Sequence, residues 1–330
     1  MANIVILGSG GFGLSLAVMA EKYGHKVTVW SKFQKEIDDI RAHGEHVQKL
    51  PGVPVSERIG LTSDISCVQG CEILIFGIPS SFVRDVAKEA KPYIDENMVI
   101  VNTGKGLEDG SLKLLSEVLA EELESDKIVV LSGPSHAEEV ARGIPTTIVA
   151  ASKNMEAAEY VQETLCNEVL RIYLSEDVVG CEIGGALKNT IALSAGICDG
   201  LRYGDNTKAA LMTRGIHEIA RLGVAMGADM QTFSGLTGLG DLIVTCTSMH
   251  SRNRRAGILI GEGVSPEEAV KKVGTVEGYH CCKTSYALAQ RLGVEMPITE
   301  QLYSVLFGGA NVKSAIDELM SRPQKNESEL

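Results

Sequence analysis

The chain has 330 residues, 44% of them hydrophobic and 22% charged, which is enough for two domains that each bury a core. A net charge of -12 repels phosphate polymers and anionic bilayers, so general nucleic-acid or membrane-surface binding is excluded, and an anionic small substrate requires a local cationic cluster. Eight scattered cysteines without paired CxxC motifs, seven histidines without metal-ligand spacing, and no apolar run of membrane-spanning length point to a reduced cytoplasmic protein with no zinc site and no membrane insertion.

From residue 3 to residue 150, short β-branched runs alternate with helix-length segments. The predicted strands are Asn3–Leu7, Lys26–Trp30, Glu72–Phe76, Met98–Asn102, Lys127–Leu131 and Thr146–Ala150. Their continuous rather than alternating apolarity suits strands covered on both faces, as in a parallel sheet. Phe12–Tyr23, Ser80–Tyr93 and Ser111–Leu123 read as intervening helices, so the order is that of a doubly wound, Rossmann-like α/β domain. Beyond about residue 176 strand patterns vanish. Asp177–Leu201, Thr207–Gly227, Arg252–Gly261, Ser265–Val273, Lys283–Leu292 and Thr299–Phe307 all read as helices. The expected domains are therefore 1–176, for a dinucleotide, and 177–330, all-α, for substrate and catalysis. The polar tail Arg322–Leu330 is expected to fray.

Gly8-Ser9-Gly10-Gly11-Phe12-Gly13 follows the first strand and opens the first helix. Glycines at this spacing permit a tight turn, close approach of a pyrophosphate and close helix–strand packing, with the helix N-terminus aimed at the phosphates. The glycines serving a turn alone is the competing reading. Selectivity for NAD usually uses an acid about 20 residues further on, at the second strand's tip. Here that tip is Trp30-Ser31-Lys32-Phe33, with no acid. Ser31 and Lys32 suit a 2′-phosphate, so NADPH is favoured over NADH, although Lys32 also fits an ordinary solvated lysine. The loops Gly77–Phe82, Thr103–Gly106 and Ser132–His136 follow strands whose carboxyl ends form the expected ligand crevice. Lys105, between two glycines, has room to meet an anion or simply to decorate a turn. Ser135 offers a hydroxyl or a helix cap. His136 reads as a packing or capping residue.

In the helical half, Lys188 is the lone charge in Ile183–Cys198. Its neighbours at helical spacing include Gly184, Gly185, Ile191, Ala192 and Ala195, which predicts an open volume above the helix. Lys188 is either a proton carrier or a lysine whose stem lies in the core while its amine reaches water. Asp241 follows Gly238-Leu239-Gly240, and Ser251-Arg252-Asn253-Arg254-Arg255 is the densest basic cluster. At a helix start, Ser251 can cap while Arg252 and Asn253 offer forked donors that suit a phosphate or carboxylate. A salt-bridged surface turn is the alternative, above all for Arg254 and Arg255. Glu277 is a weak candidate ligand to a cofactor hydroxyl.

Together these motifs closely resemble the bacterial NAD(P)-dependent glycerol-3-phosphate dehydrogenases over nearly the whole chain. Gly184-Gly-Ala-Leu-Lys188-Asn189, Gly238-Leu-Gly-Asp241 and Ser251–Arg255 carry the resemblance. It implies reversible, NADPH- or NADH-dependent reduction of dihydroxyacetone phosphate to sn-glycerol 3-phosphate, supplying glycerophospholipid synthesis. It further implies that Lys188 is the general acid/base, that Lys105 is its partner at substrate and nicotinamide, and that Asp241 orients them. Gly133, Ser135, Ser251, Arg252 and Asn253 would line the substrate site. Gly8, Gly10, Gly11, Phe12, Gly13, Lys32, Phe82, Lys105, Ala137, Arg252 and Glu277 would fall around the dinucleotide. A homodimer is the expected assembly. Three departures stand out: Gly11 replaces a frequent serine, His136 replaces a frequent aromatic residue, and Thr275-Val276-Glu277 is one residue short of the usual valine-rich version. Other two-domain dehydrogenases, acting on a hydroxyacyl-CoA or 6-phosphogluconate, and a non-catalytic dinucleotide-binding module are the rival readings. The basic cluster favours a small phosphorylated substrate over the former, and the latter gives Lys188, Lys105 and Asp241 no joint purpose.

Overall fold

The computed structural model describes residues 1–324, 326 and 327. Part of the expected frayed tail, residues 325 and 328–330, lies outside the described residues. The chain divides into two compact units, Met1–Glu108 with Lys113–Val178, and Asp109–Leu112 with Val179–Leu330.

The first unit is built on one eight-stranded sheet of order β3-β2-β1-β4-β5-β6-β7-β8. The strands are β1 (Asn3–Leu7), β2 (Lys26–Trp30), β3 (Gly60–Thr62), β4 (Ile73–Phe76), β5 (Val99–Asn102), β6 (Ile128–Ser132), β7 (Thr146–Ala151) and β8 (Leu170–Ser175). Neighbours run parallel except β6 and β7, which pair antiparallel. The helices are α1 (Gly11–Lys22), α2 (Gln34–His43), α3 (Val83–Ala90), α4 (Leu115–Leu123), α5 (Ala137–Ala141) and α6 (Met155–Leu165). The central strands are apolar throughout because both faces are covered. In β1, Ile4 and Ile6 join a core with Leu16 and Val29, while Val5 and Leu7 join another with Phe76 and Val86. Burying each such side chain contributes about 1.5–3 kcal/mol.

Two expected helices are shorter than their sequence patterns. Ser80–Tyr93 is broken into a 3₁₀ turn (Ser80–Phe82), α3, and a second turn (Lys91–Tyr93) that contains Pro92. Proline lacks the N–H that would continue the α-helical hydrogen-bond ladder. The other pattern, Ser111–Leu123, becomes helical only at Leu115, after Leu112 has taken a left-handed conformation (φ 61°).

The second unit is helical: α7 (Val178–Gly200), α8 (Asp205–Ala225), α9 (Asp241–Thr247), α10 (Arg252–Gly261), α11 (Pro266–Val273), α12 (Glu277–Leu292), α13 (Pro297–Phe307) and α14 (Val312–Met320). Its long helix α7 is buried over most of its length. Small residues set how closely α10 approaches it. A Cβ on Gly196 would strike the Arg254 carbonyl, and one on Gly257 the Leu193 carbonyl, so backbones touch where these helices cross. No helix among the described residues is long and apolar enough to cross a membrane.

Candidate active site

The glycine loop has the shape that a dinucleotide requires. Gly8 adopts φ 121°, and its amide donates to the Trp30 carbonyl at 2.8 Å, joining the tips of β1 and β2. A side chain there would strike the Gly77 carbonyl. A Cβ on Gly13 would lie 2.5 Å from the Gly8 carbonyl oxygen, so helix and turn meet without room for one. Gly10 caps α1 without a side-chain hydrogen bond, which presents the first-turn amides to a ligand. Gly11 has its own cause: a Cβ would sit 2.7 Å from the Lys49 carbonyl oxygen, where the 46–50 loop crosses the helix start. The Ala137 side chain packs beside it, and Phe12 lies against the core. These features fit a bound pyrophosphate.

The parallel run β4-β5-β6 places the three expected loops at one edge of the sheet. Phe82, on the loop after β4, is 55% exposed and offers a flat apolar face. After β5, the Asn102 side chain accepts from the Gly104 amide at 2.9 Å and donates to its carbonyl at 3.3 Å. This buried turn fixes the backbone that carries Lys105. Lys105 Nζ donates to the Gly133 carbonyl at 3.2 Å, and the Ser135 hydroxyl donates to the same oxygen at 3.0 Å. Gly133 itself has φ 137°. Lys105, Gly133 and Ser135 are thus brought together. Ser135 does not cap the following helix; His136 stands at that position, and its side chain makes no capping bond.

The β2 tip differs from its sequence reading. An acid does reach it: Glu36, from the first turn of α2, turns back so that Oε2 accepts from the Ser31 hydroxyl at 2.6 Å and from the Ser9 hydroxyl of the glycine loop. Its Oε1 faces His46 Nε2 at 3.0 Å and the Lys49 ammonium. The His46 bond holds the carboxyl below its usual range; burial opposes this, and Lys49, Ser31 and Ser9 assist it. Lys32 turns elsewhere, to Glu89 Oε1 at 2.5 Å.

In the second unit the Lys188 side chain stays inside the fold rather than carrying its amine out to water. It is buried, and its ammonium donates to Asp241 and, at 2.7 Å, to Thr245 Oγ1. The missing side chain of Gly184, one turn earlier on α7, is replaced by backbone: a Cβ there would lie 2.7 Å from the Thr237 carbonyl oxygen. Thr237 belongs to a wide π turn, Leu236–Gly240, closed by the Gly240 amide donating to the Gly235 carbonyl at 3.0 Å. Such turns are rare and often mark functional sites. This one leads into α9, on which Asp241 and Thr245 share a face at four-residue spacing. Balancing the ammonium with a carboxylate avoids the cost of an isolated buried charge.

The basic cluster splits by role. Ser251 Oγ accepts from the Arg254 amide at 3.2 Å and caps α10. Asn253 Nδ2 donates to Asn189 Oδ1 at 2.9 Å, and its Oδ1 accepts from the Gly278 amide at 2.8 Å, tying α10 to α7 and α12. Arg254 is structural: Nε donates to Asp199 Oδ2 and Nη1 to the Thr247 carbonyl, each at 2.7 Å. Arg252 and Arg255 are exposed, and Glu277 opens α12. Glu36, Asn102 and Thr245 were missed by sequence reasoning. Only Glu36 carried a signal, as an acid in the first turn after β2.

A doubly wound sheet with this glycine loop, coupled in one chain to a helical unit holding a buried lysine–aspartate pair, defines a two-domain dehydrogenase of the Rossmann-like class. Family models for the N-terminus and the C-terminus of NAD-dependent glycerol-3-phosphate dehydrogenase match residues 3–158 and 177–317. The chain belongs to this family. It is 50% identical over 331 residues to the glycerol-3-phosphate dehydrogenase [NAD(P)+] of Fusobacterium nucleatum, covering 99% of each chain. It is 49% identical to that of Clostridium perfringens strain SM101, again over 99% of both. The crystal structure of glycerol-3-phosphate dehydrogenase from Coxiella burnetii superposes with a TM-score of 0.93 at 38% identity, covering 97% of this chain and 99% of that one.

Proposed function

We propose that this enzyme catalyses the reversible NAD(P)H-dependent reduction of dihydroxyacetone phosphate to sn-glycerol 3-phosphate, supplying glycerophospholipid synthesis. It is expected to work in the cytoplasm as a homodimer. Family membership supports the reaction class, and the buried Lys188–Asp241–Thr245 set is the observation that carries the catalytic assignment. A bound reduced nicotinamide would supply the hydride for the substrate's carbonyl carbon.

The chain's own residues supply the rest. Reduction builds negative charge on the carbonyl oxygen, and a fixed ammonium there stabilises it better than reorganising water. Lys188 is the proton donor to that oxygen and, in the reverse direction, takes the proton of the C2 hydroxyl. Asp241 holds the ammonium in place and balances its charge. Lys105, with Gly133 and Ser135, serves the substrate and the nicotinamide. Ser251, Arg252 and Asn253 at the start of α10 bind the phosphate, and Glu277 belongs with the cofactor contacts. Holding the phosphate, which does not react, positions the carbonyl.

The test follows NADH and NADPH oxidation in the near ultraviolet with dihydroxyacetone phosphate. Lys188→Met is expected to abolish turnover in protein that is destabilised but still folded without denaturant, and near-full turnover would remove the assignment. Arg252→Ala is expected chiefly to raise KM; an unchanged KM would remove its role at the phosphate.

A further inference from the structure

We propose that Glu36 makes this enzyme selective for NADH over NADPH, by committing to carboxylates the serine protons and lysine cations that a 2′-phosphate would need. The inference rests on the dinucleotide reading of the glycine loop. In that reading the adenosine ribose lies between the loop and the β2 tip. Glu36 Oε2 sits at this junction, bonded to Ser9 on one side and to Ser31 on the other.

Hydrogen-bond direction decides what the junction can accept. An ionised carboxylate only accepts, so both serine hydroxyls donate to it, and their outward-facing capacity is reduced to oxygen lone pairs. The Ser31 oxygen also receives the Phe33 amide at 3.4 Å. Such a set can take a proton from a ribose 2′-hydroxyl. It has no serine proton left for a 2′-phosphate, which also only accepts.

Charge works in the same direction. Lys49 is paired with Glu36 and Lys32 with Glu89, and Asp85 adds to the field at Lys32. Each of these two cations already faces a carboxylate. The exposed Lys32–Glu89 pair is weak in itself. Breaking it does not help a phosphate, because the acid stays beside the site. Rejection of a competing ligand by unfavourable charge is an effective route to specificity. The carboxylate is also held firmly, with His46 and Lys49 reaching it from the loop that crosses Gly11.

Trp30, the chain's single tryptophan, ends β2 one residue before Ser31 and provides the readout. Quenching of its fluorescence gives Kd for NADH and NADPH with no substrate present. The wild-type protein is expected to bind NADH at least about tenfold more tightly, since like charges brought together cost more than the ~1.4 kcal/mol of one decade. In Glu36→Gln the amide can donate to a serine oxygen and turn that hydroxyl outward, so the ratio is expected to shrink about tenfold, mainly through tighter NADPH binding. Adenosine 2′,5′-bisphosphate and AMP should repeat the pattern as fragments. Equal or tighter NADPH binding by the wild type overturns the proposal, as does an unchanged ratio in a folded Glu36→Gln protein. If that variant does not fold, the wild-type ratio decides alone. Failure of both coenzymes to quench would overturn the dinucleotide reading itself.

Discussion

Thr245 accepts a hydrogen bond from Lys188 at 2.7 Å because its own hydroxyl proton is given to the Asp241 carbonyl at 2.6 Å, one turn back on α9. The backbone bond fixes the rotor and aims an oxygen lone pair at the ammonium. Thr245→Val keeps the shape and removes the acceptor. A hydrogen bond to a charged group contributes about 1.5–3 kcal/mol, so kcat is expected to fall about 10- to 100-fold if the bond holds Lys188 in its working position. KM for dihydroxyacetone phosphate should change far less. Steady-state kinetics at saturating coenzyme measure both, and an unchanged kcat would reduce Thr245 to packing.

The Lys188–Asp241 pair makes a different prediction, about stability. Removing one member strands the other charge in a buried site, at a cost of about 3–5 kcal/mol. Lys188→Met alone should therefore unfold at markedly lower urea concentration than the parent. The double variant Lys188→Met/Asp241→Asn should regain most of that loss while staying inactive. A double-mutant cycle from urea midpoints checks it, and additive losses would show that the two groups do not compensate each other.

Much of this was legible because the relevant signals are local. Continuous β-branched runs marked six strands, and glycine spacing marked the α1 start. What escaped depends on tertiary context. β8 alternates buried Leu170 and Ile172 with exposed Arg171, so a search for unbroken apolarity passes over it. β3 has three residues and pairs with β2 alone. Nothing in the Thr146–Ala151 residues specifies the antiparallel pairing of β7, which follows from the path of the connection. At the site, glycines beside Lys188 suggested open space, but Gly184 admits the Thr237 backbone instead. Glu36 lies five residues past Ser31, and only the turn into α2 brings its carboxylate back.

The α7–α10 crossing tests how closely α10, the helix proposed to hold the substrate phosphate, depends on glycine. Gly196→Ala would drive a methyl into the Arg254 carbonyl, and backbone cannot swing aside as a flexible side chain can. Overpacking of this kind costs about 1–3 kcal/mol. Relief requires α10 to move away from α7, carrying Ser251, Arg252 and Asn253 with it. The expected result is a lower Tm together with a raised KM for dihydroxyacetone phosphate. Calorimetry and kinetics on the same preparation measure both; a normal KM despite a lowered Tm would show that α10 keeps its position.

Glu218 gives the enzyme a pH-dependent stability that is separate from catalysis. The carboxylate lies on α8 and caps α13, accepting from the Ile298 amide (2.5 Å), the Thr299 amide (3.2 Å) and the Thr299 hydroxyl (3.3 Å). Those bonds favour its charged form, but burial outweighs them and pushes the group up to about 7 from its ordinary 4.5. The folded state therefore holds this proton more tightly than the unfolded chain does. Its contribution is fully present below about pH 4.5 and declines as pH rises through about 7; the shift corresponds to roughly 3 kcal/mol. Glu218→Gln cannot ionise and should lack this decline. Urea midpoints of parent and variant, compared from about pH 5 to about pH 8, should shift progressively in favour of the variant as this proton is lost. A constant difference across that range would mean that Glu218 is already ionised in the folded enzyme at the acid end.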